Sequence, residues 1–95
     1  MPAELAEKTD RYGRMLEDAL AAATIAVPPE TPLGDAAVDI EEMAISYLED
    51  GHHFRENDDP VNALASFSYG YGWLDAGVRM GLFDVPEETD LFTME

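Results

Sequence analysis

No cysteine occurs in the 95-residue chain. That excludes disulfides, a thiolate nucleophile and a cysteine-ligated zinc site. Positive charge is nearly as scarce: five bases, of which only Lys8 is a lysine, face 21 acids, for a formal charge of −16. A surface of that sign repels phosphate backbones, which argues against nucleic-acid binding through a basic patch. Long apolar runs are missing too, and none approaches the roughly 18–20 residues needed to span a bilayer. The N-terminal MPAELAEKTD lacks the basic-then-apolar order of a secretory leader. The expectation is a soluble, cytoplasmic protein with no membrane partner.

What is present is one domain's worth of apolar residues, 46% of the chain, with helical periodicity. The charge is unevenly placed. Residues 1–59 carry −11, residues 60–83 carry 0 through Asp75 and Arg79 alone, and residues 84–95 carry −5. Disorder would explain such acidity, but the apolar content opposes it. A mimic of nucleic acid, or a binder of basic partners, would need its acids clustered on one face. Adaptation to high salt is the reading adopted: at ~1 M salt the Debye length falls to ~3 Å, so crowded carboxylates repel weakly and still aid solubility.

Periodicity predicts three helices, at about 3–26, 32–57 and 60–81. Leu5, Tyr12, Leu16, Ala19 and Ala23 recur at threes and fours in the first, and Val27-Pro28-Pro29 ends it. Either Thr31 or Asp35 caps the second, whose apolar stripe is Ala36, Ile40, Met43, Ala44, Tyr47, Gly51 and Phe54. Asp59 caps the third, with Pro60 at its first turn. The third is apolar on three sides: Val61, Leu64, Tyr71, Val78 and Leu82; Ala63, Phe67, Gly70, Leu74 and Gly77; and Tyr69, Trp73, Met80 and Phe83. A helix apolar all round is normally buried all round, yet two partner helices cover only part of its circumference. Residues 84–95 form an acidic tail that either docks through Val85, Leu91, Phe92 and Met94, with Pro86 opening a short helix through Glu88, or frays.

The stretch SYGYGWLDAGVRMG, Ser68 to Gly81, holds four glycines and no proline. It has no P-loop lysine and no preceding strand, so it is no phosphate loop. Each glycine inside a helix costs about 1 kcal/mol against alanine. Close helix packing at Gly70, Gly77 and Gly81 would offset that cost, and Gly81 also suits a helix C-cap. Tyr69, Tyr71, Trp73, Asp75, Arg79 and Met80 form the candidate interaction face, since tryptophan and arginine dominate interface hot spots. Glu49, His52, His53 and Glu56 read as surface residues on two helix faces and not as a metal site. Ser66 and Ser68 lack a recognisable base, so no catalytic residue and no cofactor is assigned.

Two resemblances add to this reading. From Gly51, an aromatic follows at +3 (Phe54), alanine at +12 (Ala63), an aromatic at +16 (Phe67) and a small residue at +19 (Gly70). That pattern resembles a single tetratricopeptide hairpin, with Asp75 in place of its terminal proline. More of the chain, AISYLEDGHHFRENDDPVNALASFSYGYGWLDAGVRMGLF, resembles the core of an archaeal family classified as domain of unknown function 357. The likeness is densest at Asn62-Ala63-Leu64-Ala65 and from Gly72 to Arg79. It implies a small three-helix bundle and brings no catalytic residue or ligand.

The expected fold is therefore all-α: an up-down-up antiparallel three-helix bundle over residues 1–83, its second and third helices forming the tetratricopeptide-like hairpin. The expected function is a non-enzymatic interaction module, with an unknown protein partner or a homo-oligomer, acting in a salt-adapted cytosol. The alternative is a small-molecule-binding protein or enzyme with a pocket near Trp73, Asp75 and Arg79.

Overall fold

The computed structural model describes residues 2–87 and Phe92. Helices α1 (Pro2–Ala22), α2 (Pro32–Glu56) and α3 (Pro60–Arg79) pack together, and two short strands, β1 (Thr24–Ile25) and β2 (Phe83–Asp84), close one end. The chain is thus an all-α bundle of three helices. Among the described residues no helix is long and apolar enough to cross a membrane.

Helix α1 stops at Ala22, short of position 26. Ala23 still donates its N–H to the Ala19 carbonyl at 3.0 Å. Then β-branched Thr24 and Ile25 turn into an antiparallel pairing, Thr24 with Asp84 and Ile25 with Phe83. Ala26 N–H adds a bond to the Leu82 carbonyl at 2.8 Å. These extended residues satisfy their backbone groups across the molecule instead of along a helix.

Of the two caps considered for α2, Thr31 serves: its hydroxyl accepts from Gly34 N–H at 3.0 Å and donates to the Pro28 carbonyl at 2.7 Å. The buried row of α2 is Gly34, Ala37, Ile40, Ala44 and Gly51. Ala37 takes the place expected of Ala36, and Met43 lies at the surface. Small residues dominate this row because neighbours press closely on it: the backbone of Pro28 and Pro29 at Gly34, and Phe67 of α3 at Gly51. Asp59 caps α3, accepting from Asn62 N–H at 3.3 Å and from the Asn62 side-chain amide at 2.7 Å.

Phe67 is the centre of the core. It is fully buried among Leu16, Leu74 and the alanines of all three helices. Its ring lies against Gly51 of α2, and a Cβ at Gly13 of α1 would be 3.0 Å from it. Burying such a side chain contributes about 1.5–3 kcal/mol. Gly70 faces Tyr47 and Leu16, where a Cβ would come within 2.9 and 3.0 Å of side-chain carbons. Gly77 faces the ring of Phe83, 2.6 Å from where its Cβ would stand, and the Ile40 side chain of α2 at 3.5 Å. At the third expected packing position, Gly81, an added Cβ would meet nothing within 4 Å among the described residues. This glycine lies beyond the helix end at φ 81°, with Gly81 N–H on the Val78 carbonyl (3.1 Å) and Leu82 N–H on that of Gly77 (2.9 Å). That is a Schellman stop, which needs the left-handed conformation glycine adopts freely.

Beyond β2, Pro86 and Glu87 are not helical. Val85 packs partly on the core and Phe92 is buried in it. Glu88, Leu91 and Met94 lie outside the described residues. Arg55 pairs with Asp10, and His52 with Glu17 at 3.1 Å, linking α2 to α1 at the surface; exposed pairs of this kind contribute about 0–1 kcal/mol each.

Candidate functional site

With Ala63, Phe67, Gly70, Leu74 and Gly77 turned inward, α3 presents Val61, Ala65, Tyr69, Gly72, Ala76 and Met80 outward. Val61, Tyr69 and Met80 are 64, 56 and 68% exposed. From Val61 to Ala76 this outward face carries no charged side chain. The contrast with the other helices is sharp: α1 exposes Glu4, Glu7, Glu17 and Asp18, and α2 exposes Asp35, Asp39, Glu42, Glu49, Asp50 and Glu56. The exposed acids of the helices are spread over two of them and spare the outward face of the third.

The outward face has relief. Tyr47 of α2 meets Tyr69 edge-on at 4.9 Å, and Tyr69 meets Trp73 edge-on at 6.4 Å. Beside this aromatic row, Ser68, Tyr69, Gly72, Trp73 and Ala76 line an open concavity of about 290 Å³. Gly72 forms its floor. A Cβ built there would meet nothing within 4 Å.

The six residues expected to form one interaction face divide between two. Tyr69 and Trp73 border the outward concavity, and Met80 is exposed just past the end of α3. Tyr71 and Asp75 lie around the helix, where Tyr71 stacks on Phe92 with ring centres 5.7 Å apart and planes at 11°. Arg79 Nε donates to Asp75 Oδ2 at 3.3 Å. The other carboxylate oxygen of Asp75 is buried with no hydrogen-bond partner among the described residues. Burial pushes the Tyr71 hydroxyl above its ordinary pKa of 10.0; the Asp75 carboxylate raises it further, and the Arg79 guanidinium offsets part of that rise.

Neither Asp75 nor Arg79 lines the concavity at Trp73, so the expected pocket combining all three is not formed there. The only side-chain polar groups on its walls are the Ser68 and Tyr69 hydroxyls and the Trp73 indole N–H, a set that can orient a ligand but holds no acid–base pair. His52 is directed to Glu17 and rests edge-on against Phe67 at 5.3 Å, while His53 contacts Asn57. Among the described residues no three His, Cys, Asp or Glu side chains are placed to hold a metal ion.

Sequence reasoning did not place Gly72, Ala65, Ser68, Ala76 or Tyr47 on this face. The signal for four of them was present: small residues at 65, 68, 72 and 76 recur at threes and fours on one helix face. The contribution of Tyr47 comes from a neighbouring helix and had no local signal.

A model of the family described as "Protein of unknown function (DUF357)" matches residues 11–83. The match runs from within α1 to the first residue of β2. No curated protein and no solved structure matches the chain.

Proposed function

The chain belongs to the DUF357 family, and since that description assigns no activity, we propose from the geometry that it is a protein-interaction module working through the outward face of α3. The observation that carries this reading is Gly72. A glycine inside an exposed helix costs about 1 kcal/mol against alanine, and none of the described residues occupies the space it leaves. A close neighbour from outside the chain accounts for the glycine. The uncharged surface around it, on a molecule of charge −16, has the desolvation behaviour of an interface centre.

On this reading the protein is not an enzyme and needs no cofactor. Its setting is a salt-rich cytoplasm, where the acids of α1 and α2 keep it soluble. The three-residue turn at Asn57–Asp59 supports an up-down-up bundle whose α2 and α3 form a hairpin of tetratricopeptide type. The small-molecule reading is weaker, because the concavity of about 290 Å³ is open and presents no charged group.

A photo-crosslinking residue at Tyr69, added to native cell extract at working salt, should give discrete adducts. The same residue at Glu42, on the acidic face of α2, should not. Absence of adducts from the Tyr69 position would overturn the proposal.

A further inference from the structure

We infer that the occupant of this face is a second copy of the same chain, its α3 crossing antiparallel to the first about a two-fold axis between Gly72 and Trp73. This rests on the reading of the outward face as an interface and names its partner. Charge selects the occupant. Two molecules of charge −16 repel over the acidic faces of α1 and α2, and the outward face of α3 is where neither copy presents an acid. A basic partner would be drawn instead to those acidic faces.

Shape selects the orientation. The face carries both projections and hollows: Tyr69, Trp73 and Met80 stand beside Ala65, Gly72 and Ala76. With the axis between Gly72 and Trp73, an antiparallel crossing sets Tyr69 opposite Ala76 of the second copy. It sets Met80 opposite Ala65, and Trp73 opposite Gly72. One axis position thus matches Tyr69, Trp73 and Met80 each to a small residue. A parallel pairing would set Tyr69 on Tyr69 and Met80 on Met80, projection against projection, and leave Gly72 facing Gly72.

The surface is large enough for a weak dimer. Helix α3 has 20 residues, about 30 Å at ~1.5 Å per residue. Beside it, Tyr47 and Phe54 border a second concavity with Asn62, Ala65, Ser66 and Tyr69. At helix spacings of ~8–10 Å a strip two helices wide, taking in Tyr47 and Phe54 of α2 with the exposed Asp50 between them in sequence, covers about 600 Å² per copy. The resulting ~1,200 Å² in total lies at the lower limit of stable interfaces. Dimerisation should therefore be concentration-dependent and should tighten as salt screens the acids at the rim.

Sedimentation equilibrium in molar KCl should show a monomer–dimer equilibrium. Gly72→Arg should weaken it by more than about 30-fold, the scale of losing a central hot spot, with helical circular dichroism unchanged. Tyr69→Ser is the second variant and should weaken dimerisation without adding charge. Because the chain has no cysteine, an equimolar mixture of Ala65→Cys and Met80→Cys proteins reports the orientation. Antiparallel packing gives the mixed disulfide in preference to either homodisulfide; a preference for homodisulfides would overturn the proposed crossing. A strict monomer whose Tyr69 photo-adducts contain only another protein would overturn the second copy while leaving the interface reading intact. A dimer indifferent to Gly72→Arg and Tyr69→Ser would overturn the use of this face by a second copy.

Discussion

A single methyl group should have opposite effects at Gly51 and Gly72. At Gly51 it would strike the ring of Phe67, which is fully buried and held on its other edge by Gly13 of α1. Overpacking at such a site costs about 1–3 kcal/mol. At Gly72 the methyl meets nothing within 4 Å, and alanine's helix propensity contributes up to about 1 kcal/mol. Urea denaturation at concentrations low enough to hold the protein monomeric should show Gly51→Ala destabilised and Gly72→Ala stabilised. Tyr71 sets a pH limit of its own. Its folded pKa lies above the ordinary 10.0 because the phenolate would be half-buried and near Asp75. A raised folded pKa means its stabilising contribution is complete below pH 10.0 and fades as pH climbs through the folded value. Tyr71→Phe should flatten the loss of stability on the alkaline side, measured as unfolding free energy against pH. An unchanged slope would mean that Tyr71 ionises equally in both states.

At the scale of elements, what could be read early was what local chemistry decides. Thr31-Pro32 and Asp59-Pro60 place a capping oxygen before a proline, and α2 and α3 begin there. The row Ala63, Phe67, Gly70, Leu74 and Gly77 carries its burial in its spacing. The end of α1 was not legible, because Thr24 and Ile25 leave the helix to pair with Phe83 and Asp84 at the far end of the chain. Two residues carry too little periodicity to announce a strand. The grouping of Tyr71 with Tyr69 and Trp73 was avoidable: residues two apart on a helix point to nearly opposite sides. Tyr71 belongs with Phe92, which anchors the segment after β2. Phe92→Ala should cost about 3 kcal/mol, the low end of the ~3–5 for a buried phenylalanine. The same variant should bring the Tyr71 titration back toward its ordinary value, read by ultraviolet absorbance. Lost stability with an unmoved titration would show that Phe92 is not what buries Tyr71.

For the whole molecule, charge and packing pull in opposite directions. A net −16 is carried on a bundle in which Arg55 pairs with Asp10, His52 with Glu17 and Arg79 with Asp75. The exposed acids of α1 and α2 therefore repel one another in the folded state more than in the expanded chain. Raising KCl from ~0.1 to ~1 M shortens the Debye length from ~10 to ~3 Å, so unfolding free energy should climb over that range and then level off. Sulfate would keep raising it, since that salt also strengthens apolar burial. Screening can be separated from burial by removing charge rather than adding salt. Asp39, Glu42 and Asp50 line one concavity on α2 with Met43, Ser46 and Tyr47. The triple variant Asp39→Asn, Glu42→Gln, Asp50→Asn should be more stable than the parent at low salt and less responsive to KCl, with the two converging near 1 M. If the variant keeps the parent's full salt dependence, the acids of α2 are not the charges that salt relieves, and α1 becomes the surface to neutralise next.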